Sequence, residues 1–245
     1  MATVAIERPT LPVPVLDEPH WRVNFRPDEY DPELIPSPAE CFRLVEQASV
    51  RFRGWPYPYL SCQPDERRVR ANGVASWTAN EYATEYWRFY QSGQFLHLFT
   101  LNENNPRHQP QQRLLRSMYG SQTPGYVDFL GLLYTVTEIF EFATRLCLQE
   151  LYRGSLEITI ELKDIEGFRL WVPEPARHVP YEWISHESDL GRPWSFPSTE
   201  LIANSADRAL DAAIWFFERF GWERPSKDSL RRDQREMLSW RDGSR

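Results

Sequence analysis

The residues best placed to do chemistry lie in SLEITIELK, residues 155–163. Strict alternation puts Leu156, Ile158, Ile160 and Leu162 on one face of a strand and Glu157, Thr159, Glu161 and Lys163 on the other. Glu161-Leu162-Lys163 therefore has the E-x-K spacing of metal-dependent nucleases. In that chemistry the carboxylate holds a divalent cation and the lysine helps to activate water. A second acid is needed nearby, and Asp128 is the upstream candidate. A half-buried strand also produces E-x-K with no catalysis behind it, because its wet face collects charge.

Other catalytic signatures are missing from the sequence. There is no GxxxxGK[ST], GxGxxG, GxSxG or HExxH string. His20, His97, His108, His178 and His186 are scattered without an i,i+4 pair. Cys41, Cys62 and Cys147 are odd in number and form no CxxC. That usage suits a reducing, cytoplasmic compartment and neither a disulfide framework nor a thiolate zinc site. The sequence thus assigns no catalytic residue, no metal ligand and no cofactor.

Two groups of residues point instead to binding. Arg51, Arg53, Arg67, Arg68, Arg70 and Arg88 interleave with Trp55, Tyr57, Tyr59 and Trp77. Guanidinium groups for phosphate and rings for stacking are what single-stranded nucleic acid requires. The same mixture dominates the hot spots of protein interfaces. A formal net charge of −7 argues against a generic nucleic-acid coat, and Glu66, Glu81 and Glu85 dilute the local field. The second group is the hairpin at residues 85–101, EYWRFYQSGQFLHLFTL. With Ser92-Gly93 as its loop, Gln91 faces Gln94 and the register follows. Trp87 and Phe89 then share a buried face with Leu96 and Leu98. Tyr86, Arg88 and Tyr90 lie across from Phe99, His97 and Phe95, with Arg88 opposite His97. These six residues form the candidate binding face, which is either a second covered face or a docking surface.

The elements that position these residues are readable from periodicity and punctuation. Residues 1–36 are punctuated by proline and should form an extended arm. Trp21, Phe25 and Tyr30 imply that the arm packs on its own domain or on a partner. Ser37 and Glu40 fit a capping box, with Pro38 at the first position of a helix. Residues 67–71 and 74–77 flank Asn72-Gly73 as a hairpin, which with the 85–101 hairpin makes a four-strand meander. Residues 124–153 read as a helix greasy on more than one side, about 39 Å long. Strands are expected at 155–162, 167–172 and 181–186, and a loop at 193–197. A helix follows from Ser198 or Thr199 to Arg219, with Gly221 as its C-cap. Residues 228–240 form a charged, peripheral helix.

Arg53-Gly54-Trp55-Pro56, then residues 86–98 (YWRFYQSGQFLHL), 132–146 (LLYTVTEIFEFATRL) and 217–222 (FERFGW) occur in that order. The series resembles the segment that follows the Schlafen-type AlbA_2 domain in bacterial ATP-binding or regulatory proteins. The likeness spans roughly residues 40–222. The AlbA_2 portion itself has no counterpart here, and no active-site residue is carried over. The resemblance implies a bacterial accessory domain that works in an assembly, beside a defence or nucleic-acid-handling system.

Length and composition bound the whole. With 245 residues, 41% hydrophobic content and 14% aromatic content, the chain can bury one sizeable core built largely from rings. No signal-like h-region opens the sequence, and no uncharged run suggests a membrane span. The fold class expected is α+β: a mostly antiparallel sheet, the meander plus later strands, backed by two long helices. Residues 1–36 are the arm, 37–222 a single domain and 223–245 a charged helix and tail. The function expected is a non-enzymatic interaction or regulatory subunit whose partner is another protein. A nucleic-acid-binding accessory protein is the alternative, and a metal-dependent nuclease at Glu161 and Lys163 the third reading.

Overall fold

The computed structural model describes residues 11–81, 83–171 and 182–239. Residues 1–10 of the expected arm, Tyr82, Val172, His178, Tyr181 and the tail from Trp240 lie outside them.

The expected arm contributes a central strand. His20–Pro27 is β1, and the alternation of Trp21, Val23 and Phe25 with Arg22, Asn24 and Arg26 is a period-2 signal that the surrounding prolines mask. Pro27 sits at the strand end, where a missing donor is tolerated. The next elements are helix α1 (Pro38–Ala48) and the strands β2 (Arg67–Arg70), β3 (Gly73–Ala79), β4 (Thr84–Tyr90) and β5 (Phe95–Thr100). Helix α2 (Gln109–Tyr119), strand β6 (Tyr126–Asp128) and helix α3 (Phe129–Leu148) follow. Strands β7 (Ser155–Lys163), β8 (Arg169–Trp171) and β9 (Leu190–Pro197) and helices α4 (Ser198–Arg219) and α5 (Lys227–Ser239) complete the chain. Seven strands form one antiparallel sheet in the order β2-β3-β4-β5-β1-β7-β9, while β6 and β8 make a separate parallel pair. The fold is α+β with a mostly antiparallel sheet.

One face of the sheet is packed under helices. Val23 and Phe25 of β1, Trp87 and Phe89 of β4, Phe95 of β5, and Ile158 and Ile160 of β7 are all fully buried. Helix α3 lies in this core and is buried round nearly its whole circumference, packing on α1, α4 and α5. It is shorter than the expected 124–153, because Asp128 caps it: Leu130 N donates to Asp128 Oδ1 at 3.0 Å. At 1.5 Å per residue it is about 30 Å long. The capping box at α1 is present on its serine side, with Glu40 N donating to Ser37 Oγ at 3.2 Å.

Three further expectations are corrected. Residues 193–197 are not a loop but the end of β9, which pairs with β7 from Leu162↔Leu190 to Ser155↔Pro197. β9 is an edge strand, so its prolines remove no needed ladder bond. The strand expected at 167–172 is β8, paired to β6 and not returned to the main sheet. The C-terminal helix is not peripheral: Leu230 and Met237 of α5 are buried, and Gln234 Nε2 donates to Thr137 Oγ1 at 3.0 Å and to Ala206 O at 2.9 Å. Between α4 and α5, Gly221 (φ +93°) closes a Schellman motif, with Gly221 N donating to Glu218 O and Trp222 N to Phe217 O, both at 3.1 Å.

The register of the 85–101 hairpin decides the candidate binding face. Tyr90 N donates to Gln94 O and Gly93 N to Tyr90 O, both at 2.9 Å, so the loop is Gln91-Ser92-Gly93. Gly93 has φ +77°, the left-handed third position of such a loop. One extra loop residue shifts every pair: Trp87 faces His97 and Phe89 faces Phe95. A one-residue slip exchanges the faces of one strand relative to the other. Phe95, His97 and Phe99 therefore lie on the helix-covered face with Trp87 and Phe89. Tyr86, Arg88 and Tyr90 lie on the outer face with Leu96 and Leu98. The six residues do not form one surface. The first hairpin slips too, with Ala71-Asn72 as its loop and Arg70 paired to Gly73. Gly73 is needed for another reason: a Cβ there would sit 2.1 Å from Phe89 O on the adjoining strand.

The outer face is also partly covered. Val13 and Val15 of the N-terminal segment pack on Ala75, Tyr86 and Leu98, forming a second small core with Trp77 and Leu96 beside it. The apolar residues of the arm thus cover the half of the sheet whose outer face is apolar.

Candidate functional site

A cavity of about 350 Å³ opens at one corner of the sheet, on the helix-covered side. Its floor is the end of the inner face: Trp21 of β1, Glu85 of β4 and Phe99 of β5. Its roof is the rigid aromatic segment after α1, from Arg53 to Tyr59. The third wall is the β6–α3 junction with Tyr126, Asp128 and Thr135 beside the buried Glu103, and the rim carries Asn102, Arg107 and His108.

The roof is tied down residue by residue. Tyr59 N donates to Glu85 Oε1 at 2.9 Å, and Trp87 Nε1 donates to Tyr59 O at 2.8 Å. Val50 and Tyr57 exchange backbone bonds at 2.9 and 2.7 Å. Arg53 reaches inward, where its guanidinium pairs with Glu138 of α3 and donates to Thr135 Oγ1 at 3.1 Å. Glu138 is fully buried on an otherwise greasy helix, so each partner is what makes the other tolerable there. Burial opposes the Arg53 charge, yet Glu138, with Glu103 and Asp128 further off, holds its pKa above the ordinary value.

Three acids, Glu85, Glu103 and Asp128, line the cavity. Glu103 comes from the 3₁₀ turn Asn102–Asn104 and is buried. Its Oε1 accepts from Asp128 N at 2.7 Å, and its main-chain carbonyl accepts from Gln112 Nε2 of α2 at 3.1 Å. Burial first, and the Asp128 carboxylate second, push the Glu103 carboxyl up to about 7. Across the cavity, Glu85 Oε2 lies 3.5 Å from His97 Nε2. His97 is fully enclosed, with Phe99 at 4.5 Å and Tyr57 at 5.1 Å between ring centroids, and neither ring nitrogen has a hydrogen-bond partner. The Tyr57 hydroxyl is likewise buried without a partner. Burial, then Glu85 and Glu138, raise its pKa well above the ordinary value, so it stays a protonated phenol.

The aromatic content is equally concentrated. Trp55 is 44% exposed at the mouth, and the Arg53 guanidinium lies 5.4 Å from its ring centroid. Trp21 stacks on Phe99 at 6.1 Å, and Tyr57 meets Phe99 edge-on at 6.0 Å. At the rim Arg107 Nη2 donates to Asn102 Oδ1 at 2.6 Å and its Nε to His108 Nε2 at 3.2 Å. Burial and Arg107 lower the His108 pKa, which keeps that ring neutral.

The arginines grouped by sequence are dispersed. Arg53 is committed to Glu138 inside the cavity and cannot serve as a phosphate contact. Arg67 lies over the Phe42 ring at 4.1 Å, on the helix side of the sheet edge. Arg68 lies over Trp77 at 5.3 Å and, with Arg70, extends from the outer face. Arg88 donates to Asn72 Oδ1 at 2.7 Å and sits over Tyr90 at 4.4 Å. Arg51 is exposed beyond the end of α1. The E-x-K pair is on the outer face, bonded into a charge ladder: Arg22 is 3.5 Å from Glu161, Arg26 3.1 Å from Glu157, and Lys163 bonds Asp189. Asp128 lies with Trp21 on the opposite side of the sheet, so it is not the second acid of that strand. Among the described residues no group of three His, Cys, Asp or Glu is arranged to hold a metal ion. Nor is any helix among them long and apolar enough to cross a membrane.

Sequence reasoning missed the cavity. Glu103 stood between residues 101 and 124, where no element was assigned from the sequence, and Glu85 was read as a diluting charge. One signal was available: Glu138, a carboxylate in the middle of an apolar helix, demands a buried cation, and Arg53 is the one it finds. The fold and site together define an α+β protein with an acidic, aromatic-walled cavity at a sheet corner. No protein family, curated protein or solved structure matches the chain.

Proposed function

We propose that the chain is a non-enzymatic recognition subunit, and that the cavity roofed by residues 53–59 is its functional centre. The observation that carries this is a cavity of ligand size, walled by Trp21, Trp55, Tyr57 and Phe99 and furnished with a few convergent polar groups. A bound molecule covers the exposed Trp55 at its mouth. The notion of a regulatory subunit follows: ligand binding at a sheet corner alters the surface that Trp55 and the rim present to a partner protein. A thermal-shift screen over a chemically mixed small-molecule library tests the reading. Some compound should raise the melting temperature of the wild type but not of Trp55→Ala. If no compound does so in a Trp55-dependent way, the reading is lost.

A second reading, nucleic-acid binding, is favoured by one observation. Strand β2 is an edge strand, RRVR, with every residue exposed. Charge on an edge strand also serves simply to block edge-to-edge pairing. Short single-stranded DNA should bind in a steeply salt-dependent manner and weaken in an Arg68→Ala/Arg70→Ala double variant. Absence of binding at low salt disposes of this second reading.

A further inference from the structure

We propose that the open edge of the sheet, strand β2, adds a strand from a partner protein, and that the added strand is acidic, its carboxylates alternating with apolar side chains. The inference goes beyond the cavity and does not rest on it.

The two edges of the seven-stranded sheet differ. β9 carries Pro193 and Pro197, which have no N–H to offer a further strand. β2 has no proline, and all four of its residues are exposed. In an antiparallel pair every second residue turns its N–H and C=O away from its neighbour. The turn at Ala71-Asn72 closes on the Arg70–Gly73 pair. Arg70 and Arg68 therefore direct these groups to β3, and Val69 and Arg67 direct theirs to the open edge. Val69 pairs with the buried Val74 on the helix-covered side, yet it is itself 71% exposed. A strand laid along β2 would bond its bare backbone and cover this β-branched side chain.

Charge decides the partner. Arg68 and Arg70 extend from the outer face, and Arg88 stands in the same row as Arg68, across Ala75. These guanidinium groups rest on rings and an amide: Arg68 over Trp77, Arg88 over Tyr90 and bonded to Asn72, and Arg67 over Phe42 on the other side. Among the described residues none of Arg67, Arg68, Arg70 and Arg88 is ion-paired to a carboxylate. Glu66, just before the strand, accepts instead from Ser61 Oγ. A second copy of the chain is the wrong occupant, because two β2 strands side by side would set arginine against arginine. An acidic strand reverses that sign. Its carboxylates would stand opposite Arg68 and Arg70 on the outer face, and the apolar residue between them would lie beside Val69. Blocking self-pairing and selecting an acidic partner are then one device. A nucleic-acid strand would meet the same arginines but would leave the Val69 backbone and side chain unused.

The test is fluorescence anisotropy of the full chain with labelled, capped peptides of one length in which valine alternates with glutamate, glutamine or lysine. The glutamate peptide should bind roughly tenfold more tightly than the glutamine peptide, through two exposed ion pairs, and the lysine peptide more weakly still. Raising salt should narrow these differences. An Arg68→Glu/Arg70→Glu double variant should invert the order, with the lysine peptide now tightest. Val69→Pro removes one outward N–H at an edge position that tolerates proline, so it should abolish peptide binding while the far-UV spectrum and melting remain those of a folded protein. N-methylation of one alternate set of peptide amides should also abolish binding, and methylation of the other set should spare it. Equal binding of glutamate and glutamine peptides, or an order unchanged by charge reversal, overturns the acidic partner. Binding that survives Val69→Pro and both methylation patterns overturns strand addition. Tighter binding of an oligothymidylate than of the glutamate peptide gives the edge to nucleic acid and also overturns the proposal.

Discussion

Two acidic regions of this molecule look alike in sequence and behave as opposites in the fold. On the outer face of β7, Glu157 and Glu161 stand across from Arg26 and Arg22, and Lys163 bonds Asp189, so each charge has a neighbour of opposite sign in contact with solvent. In the sheet-corner cavity, Glu85, Glu103 and Asp128 converge from β4, a 3₁₀ turn and the start of α3, and the Arg53 guanidinium is bonded to the buried Glu138. The first region has the recognisable spacing and is electrostatically at rest. The second has no spacing at all and holds a buried carboxyl of perturbed ionisation and an unpartnered hydroxyl. Chemistry-bearing residue types in a local pattern are thus a weaker guide than what is left unsatisfied once the chain has folded.

The contrast can be pressed hardest at the buried pair. Arg53→Ala leaves Glu138 buried and unpaired and should cost about 3–5 kcal/mol in chemical denaturation. A loss of less than ~1 kcal/mol would mean that water reaches Glu138 and that the cavity is not dehydrated.

Next in size is a pH effect. The Glu103 carboxyl titrates at about 7 in the fold against an ordinary 4.5. Between these values the native state holds a proton that the unfolded chain has lost, so stability should fall as pH rises from about 4.5 to about 7 and then level off. The drop is on the order of 3 kcal/mol for this group alone. Glu103→Gln should flatten that part of the pH–stability curve and leave the variant more stable than wild type at pH 8. An unchanged slope in the variant would place the titrating group elsewhere.

The outer ladder should respond weakly. Arg22→Ala and Lys163→Ala are each expected to shift stability by less than ~1 kcal/mol, because exposed pairs gain little over hydration. A loss of several kcal/mol on either substitution would show the ladder to be more than a solvated face. Smallest of all, Trp55→Ala should leave the denaturation midpoint nearly unchanged, since its side chain is 44% exposed, while removing ligand-induced stabilisation. The cavity corner would then separate cleanly into residues that hold the fold and residues that meet the ligand.

Much of the architecture was legible because it depends on short-range physics. The alternation of SLEITIELK made β7, Ser37-Pro38 began α1, and Phe220-Gly221 ended α4, each through a local rule that the tertiary structure left alone. The α+β class followed from those elements. Other features were hidden by competing local signals. Prolines around His20–Pro27 obscured a strand that became central, and Pro193 and Pro197 concealed a strand whose edge position made them harmless. The hairpin at Tyr90–Gln94 is the sharpest case. Its two strands were read correctly, yet one residue of loop length placed Phe95, His97 and Phe99 in the core and left Tyr86, Arg88 and Tyr90 outside. Nothing in the alternation of either strand distinguishes the two registers. The choice is made by Gly93 in the left-handed conformation and by Ile35 and Asn72 bonding the loop through Gln91.

By itself, then, the sequence determined that SLEITIELK alternates, where α1 begins and α4 ends, and that rings would supply much of the core. Only the tertiary structure decided which acids meet. Glu85, Glu103, Asp128 and Glu138 are brought to one corner by sheet order, by a loop braced on α2 and by the first turns of α3, together with Arg53 from the roof. Their charges interact through a low-dielectric gap and not along the chain. Spacing in sequence carries no record of that distance, and burial, which sets its energy, exists only after the fold has closed over it.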